Sequence, residues 1–172
     1  MYYKILEHFG PESGDKWLNY IGWSGLHNMK RFDSVDSMMR PNIFSPETVE
    51  DWNNCVNEDF KLNLITNLEY AKEISKKYAD AEMVGVDIDI NEHYVPSDNF
   101  LGYDIIDRYC SVSLLTNWIR DKYPFDRKVI KENGLILNIK EAIATRDQLR
   151  KDPMADDHSR DCTLWAVYKI RY

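Results

Sequence analysis

A two-layer α+β fold is predicted by three features of the sequence: stretches with the period of two that a strand requires, helix openings with recognisable caps between them, and a faint repetition of one helix–strand unit. The expected sheet is mixed or antiparallel, its helices lie mainly on one face, and residues 1–172 form one domain.

Five stretches carry the strand signal. Tyr2–Phe9 is the first. Phe60–Ile65 sets Phe60, Leu62 and Leu64 against Lys61 and Asn63. Met83–Ile90 is β-branched and sets Val86, Ile88 and Ile90 against Asp87 and Asp89. Leu101–Ile106 alternates in the same way, and Thr163–Arg171 closes the chain. Ser111–Trp118 is a candidate sixth strand.

Helices are predicted from their ends. Ser45-Pro46-Glu47 opens one that runs to about Val56, with Ser45 as cap and Pro46 in the first turn. Thr66-Asn67-Leu68-Glu69 has capping-box spacing, and the helix after it buries Leu68, Ala71, Ile74 and Tyr78. Phe125–Asn133 is a short helix that Gly134 can end in a left-handed conformation. Asn138-Ile139-Lys140-Glu141 opens another, which buries Ile139, Ala142, Ile143 and Leu149 and stops before Pro153.

Two of these helices repeat a pattern. Leu64-Ile65-Thr66-Asn67 leads into a helix and then the strand at Met83. Leu135-Ile136-Leu137-Asn138 leads into a helix and then the strand at Thr163. Phe60–Ile90 alone has the size of a right-handed βαβ crossover.

The composition bounds the function. A chain of 172 residues buries roughly two thirds of the surface it exposes when unfolded, so no metal or disulfide is required for stability. With 44% hydrophobic and 13% aromatic residues it is not a disordered chain. No apolar run reaches the roughly 18 residues of a membrane helix, and the first residues alternate like a strand rather than a signal peptide. Cys55, Cys110 and Cys162 are odd in number and lack metal-knuckle spacing, which points to free thiols in a reducing cytoplasm. No cofactor is expected.

The formal charge of −7 is unevenly spread. Residues 1–110 carry ten basic and twenty acidic side chains, and residues 111–172 carry twelve and nine. Such a chain repels phosphate backbones, so nucleic acid is not the expected partner. A protein with a basic surface is.

Common catalytic signatures are missing. There is no phosphate-cradling glycine loop, no His-Glu-x-x-His and no Cys-x-x-Cys. Gly22-Trp23-Ser24-Gly25-Leu26 fails as a nucleophile elbow because Leu26 stands where glycine is required. What remains is acidic. Asp87 and Asp89 are two apart on a predicted strand and so share a face. Glu92 follows, then Asp98, Asp104 and Asp107 around a neighbouring strand. Such a face is solvated, meets a basic partner, or holds a hard cation such as Mg²⁺ or Ca²⁺. No recognisable ligand loop accompanies it, so functional binding of a divalent ion is not expected. His8, His27, His93 and His158 are scattered; His93 lies near the acidic residues, and His158 reads as a surface residue. Tyr103 and Trp118 flank the acidic strands and are candidate apolar anchors.

Three stretches resemble small acidic bacterial proteins of polymorphic-toxin loci, where such proteins serve as immunity factors. They are Leu101–Asp107 with Ser113–Asn117, then Leu135–Arg150, and Cys162–Tyr168 after Asp157-His158. The resemblance implies a cytoplasmic inhibitor that neutralises an effector protein by stoichiometric binding and carries no catalytic residues. The expected binding residues are Asp87, Asp89, Glu92, Tyr103, Asp104, Asp107 and Trp118. Two alternatives stay open: a small metal-dependent hydrolase or transferase using Asp87 and Asp89, and a mobile-element inhibitor of a host factor.

Overall fold

The computed structural model describes residues 1–56, 63–117 and 123–171. Its centre is a four-stranded antiparallel sheet of β1 (Tyr2–Glu7), β2 (Ala81–Asp87), β3 (Phe100–Ile106) and β4 (Thr163–Lys169), in the order β1-β2-β4-β3. The α+β class with an antiparallel sheet is therefore as the sequence predicts. Among the described residues no helix is long and apolar enough to cross a membrane.

Period-two alternation assigns the side chains to two faces. Ile5, Met83, Tyr103, Ile105, Leu164 and Ala166 point to one. Leu6, Val84, Val86, Ile106, Trp165 and Val167 point to the other. The helices α3 (Leu68–Ser75) and α4 (Ile139–Lys151) cover the first face, α3 through Ala71 and Ile74, α4 through Ala142 and Leu149. Val35, Leu64 and Leu135 pack on the second. Both faces are thus buried. On the flank, α1 (Asp15–Ser24) packs Trp17 and Tyr20 against Phe9 and Phe32 in tilted and edge-on contacts.

The repeated pattern is a structural one. Tyr3 of β1 exchanges two backbone hydrogen bonds with Ile65 (2.9 and 2.8 Å), and Tyr103 of β3 does the same with Ile136 (2.7 and 3.0 Å). Two residues beyond each bridge, an asparagine caps a helix. Asn67 Oδ1 accepts from the amides of Glu69 and Tyr70 (3.0 and 3.2 Å), and Asn138 Oδ1 accepts from those of Lys140 and Glu141 (2.9 and 3.3 Å). Each helix then leads to a strand antiparallel to the first. Tyr3 pairs with Gly85 and Tyr103 with Ala166, so the two units superpose with Val86 on Val167. Those two valines are themselves cross-strand partners. A pseudo-twofold axis therefore passes through the middle of the sheet at the Val86–Val167 pair. At β3 the strand carries an irregularity at Gly102, where φ is 150° and a Cβ would come within 2.6 Å of Leu135.

Several elements differ from expectation. Thr66 does not cap α3: its hydroxyl donates to the Asn54 carbonyl (3.0 Å). The expected strand Phe60–Ile65 lies partly outside the described residues, and Leu64-Ile65 forms only a bridge to β1. That bridge and the β1–β2 pairing are antiparallel, so no parallel crossover forms. The helix expected from Ser45 is the shorter α2 (Val49–Asn53), because Thr48 and Asp51 close a reciprocal capping box three residues later. In place of a helix over Phe125–Asn133 there is a 3₁₀ turn, Arg127–Val129, capped by Asp126, while Gly134 is left-handed at φ 83°. Ser111–Trp118 makes one bridge, Ser113 to Ile106, and then turns. Trp118 lies outside the described residues. One further short helix, α5 (Asp157–Arg160), is capped by Asp156 just before β4.

Candidate functional site

The acidic residues singled out in the sequence do not form one exposed edge. β2 ends at Asp87, and Asp89 lies beyond it with φ at 54°, so the two carboxylates do not share a strand face. Asp87 accepts a hydrogen bond from the Tyr94 hydroxyl, which also bonds Tyr168. Asp89 and Glu92 are exposed. Tyr103 is 2% exposed, packed between Phe100 and the core, and so is not a surface anchor. Asp104 and Asp107 are buried too. The alternation that suggested an exposed polar face failed because loops cover the second face as fully as helices cover the first.

Asp104 belongs to a buried polar layer on that second face. Its carboxylate accepts from the Ser34 hydroxyl (2.7 Å), the Ser113 hydroxyl (2.6 Å) and the amides of Val35 (3.1 Å) and Ile105 (2.9 Å). Asp36 accepts from the amides of Met38 and Met39 and from the Thr116 hydroxyl (3.1 Å). Burial, helped by the charge of Asp104, pushes the Asp36 carboxyl up to about 6. The Arg40 guanidinium, wholly enclosed, donates to the carbonyls of Glu7, Phe32 and Ser34 and pairs with Glu82. Lys4 is also fully enclosed. Among the described residues its Nζ has no hydrogen-bond partner; it sits 5.8 Å from the centre of the Trp165 ring, and burial draws its pKa down to about 8 against the opposing pull of Asp36 and Asp104. This layer fastens residues 32–40 and 113–116 to the sheet.

The accessible chemistry lies where those fastened loops reach the surface. Met38, two-thirds exposed, stands on a ridge between two hollows. The first, about 690 Å³, lies against α1 and is lined by Phe9, Tyr20, Met39 and the half-exposed Trp23. The second, about 470 Å³, is mainly apolar, with Val112 and Leu114 in its wall. Asp107, Cys110 and His158 line the same hollow. Three carboxylates, Glu7, Asp107 and Asp156, line the pair of hollows against one lysine, Lys16.

The second hollow gathers three chemically distinct groups. His158, on α5, has Nδ1 2.9 Å from an Asp107 carboxylate oxygen. The other oxygen of Asp107 accepts from the Tyr109 amide (2.8 Å). The Tyr109 ring stands edge-on to the imidazole at 6.0 Å, and its hydroxyl donates to Asp161 (2.6 Å). Cys110 follows, and burial together with the Asp107 charge raises its thiol pKa. A tight turn sets these positions. Ser111 takes φ at 55°, its amide donates to the Asp107 carbonyl (3.2 Å), and its carbonyl accepts from the Ser37 amide (2.9 Å). Donor atoms of Asp107, Cys110 and His158 all lie within 4.8 Å of one another. Sequence reasoning missed this grouping: it placed Asp107 on an acidic edge and read His158 and Cys110 singly. No spacing in the sequence signals it: the residues meet because strands β3 and β4, which they flank, are neighbours.

No protein-family model, no curated protein and no solved structure matches the chain.

Proposed function

We propose that the protein is a non-catalytic binding module of the immunity type, which neutralises a toxin or other effector protein by stoichiometric binding. The observation that carries this reading is the Met38 ridge. A tryptophan at 54% exposure and a methionine at 66% share one concave surface on a rigid support. Exposed large aromatics and methionines beside hollows are what protein interfaces use as anchors. The carboxylates around them and the net charge of −7 favour a partner with a basic surface. The stretches that resemble immunity proteins fit the same division of labour. Asp104, Ser113 and Thr116 act inside the molecule and hold the loops that present Met38. The anchors are thus Trp23 and Met38, in place of Tyr103.

The test is capture of the product of the adjacent gene, followed by association and dissociation rates at two salt concentrations. Trp23→Ala is expected to speed dissociation by about thirtyfold or more, the effect of losing a central anchor worth about 2 kcal/mol. Glu7→Lys with Asp156→Lys is expected to slow association and flatten its salt dependence. Unchanged rates in both variants would move the interface elsewhere on the surface. Turnover of a substrate by the purified chain with no protein partner would overturn the reading, and a partner encoded by the host would select the host-factor alternative.

A further inference from the structure

We propose that Asp107, Cys110 and His158 form a binding site for a Zn²⁺-class cation, open to the hollow that they line. The site is independent of the protein-binding reading and uses different residues from the Trp23–Met38 anchor.

The donor set decides the class of ion. One thiol, one imidazole and one carboxylate are the ligand types of zinc, and a set of three leaves a fourth tetrahedral position for an outside ligand. Hard cations such as Mg²⁺ and Ca²⁺ prefer all-oxygen shells and are poorly served here. Around a zinc ion with bonds of about 2.0–2.3 Å, the ligand atoms stand about 3.3–3.8 Å apart. The three donors already lie within 4.8 Å of one another, so side-chain rotation of about an ångström closes the shell. His158 and Cys110 are exposed enough to make that adjustment, whereas Asp107 is held by the Tyr109 amide.

The hollow leaves the fourth position to an outside ligand such as a carboxylate or a water. The apolar wall of Val112 and Leu114 beside it excludes bulk water from one side of that position.

The full chain, purified with a chelator and then freed of it, is titrated with Zn²⁺ against a chromophoric chelator and with Co²⁺ in the spectrometer. One equivalent of each is expected to bind, with a thiolate-to-cobalt charge-transfer band. Cys110→Ser is expected to abolish that band, and both Cys110→Ser and His158→Gln to weaken Zn²⁺ by at least about tenfold. Cys55→Ser and Cys162→Ser serve as folded controls and leave both readouts unchanged. Acetate added to the cobalt-loaded protein is expected to shift its visible bands as it enters the fourth position. No stoichiometric binding, or binding that Cys110→Ser leaves intact, overturns the site. Cobalt bands that acetate leaves unmoved overturn the assignment of an open position.

Discussion

The two halves of the sheet share a framework and fill it with opposite chemistry. In both, an edge strand bridges a Leu-Ile segment, an asparagine caps a helix, and the helix returns to a central strand. Under the superposition that places Tyr3 on Tyr103, Lys4 falls on Asp104. Both are fully buried on the same face. Yet Asp104 accepts four hydrogen bonds, while the Lys4 ammonium has no hydrogen-bond partner among the described residues and leans on the Trp165 ring and on distant carboxylates. Equivalent backbone positions therefore carry unequal burdens. The second half is anchored by a satisfied polar network, and the first tolerates a charge that the carboxylates of Asp36 and Asp104 compensate without touching it.

That inequality is open to measurement. Asp104→Ala leaves two hydroxyls and two amides without their acceptor and Lys4 with Asp36 as its remaining counter-charge. A loss of about 3–5 kcal/mol in urea unfolding is expected. Lys4→Met removes no hydrogen bond and keeps the packing of the stem, so it is expected to cost less than about 1.5 kcal/mol. Equal losses in the two variants would erase the contrast between the halves.

The caps test the likeness rather than the difference. Asn67→Ala and Asn138→Ala are each expected to cost about 1 kcal/mol in the same unfolding experiment, since each side chain serves two amides. Unequal losses would mean that the two helices are held differently despite their common entry. Thr66→Ala is expected to change stability by less than either.

A separate effect comes from titration within the polar layer. The Asp36 carboxyl is raised in the folded state to about 6 from its ordinary value near 3.8. The folded protein therefore binds the proton more tightly than the unfolded chain, and stability falls as pH rises from about 4 to about 6. The difference between wild type and Asp36→Asn isolates this contribution, which is expected to be present at pH 4 and lost above pH 6. His8 acts in the same sense at higher pH. Its hydrogen bond with Glu82 raises its pKa, so its stabilisation holds below the ordinary imidazole value and fades as pH rises through the folded one.

Local chemistry in the chain foretold the framework, and long-range packing hid the rest. The asparagines, the strand periods at Tyr2, Met83, Leu101 and Thr163, and the echo of Leu64-Ile65 in Leu135-Ile136 are short-range signals that mark real elements, whereas the periods at Phe60 and Ser111 yield only isolated bridges among the described residues. The cap of α3 was misplaced by one residue because threonine and asparagine stand side by side and both can cap. Asp104 looked like a surface carboxylate because alternation shows which residues share a face, not whether that face is covered. What covers it, residues 32–40, is remote in sequence. Cys110 and His158 meet only because β3 and β4 are neighbours, with one residue leaving the end of β3 and the other entering β4. No spacing rule describes that meeting.

The opposed charges at positions 4 and 104 also govern how such halves choose partners. A half of this fold carries the whole of one edge and one central strand, and its central strand has the geometry to pair with a second copy of itself across the Val86–Val167 position. A lysine half so doubled brings its own Asp36 with each ammonium, whereas an aspartate half so doubled would enclose two carboxylates with no lysine, several kcal/mol worse than one charge of each sign. The interior thus discriminates between self and non-self at the seam of the sheet. Chain cleaved in the 88–99 connection would be expected to reassemble as unlike halves rather than as pairs of like ones.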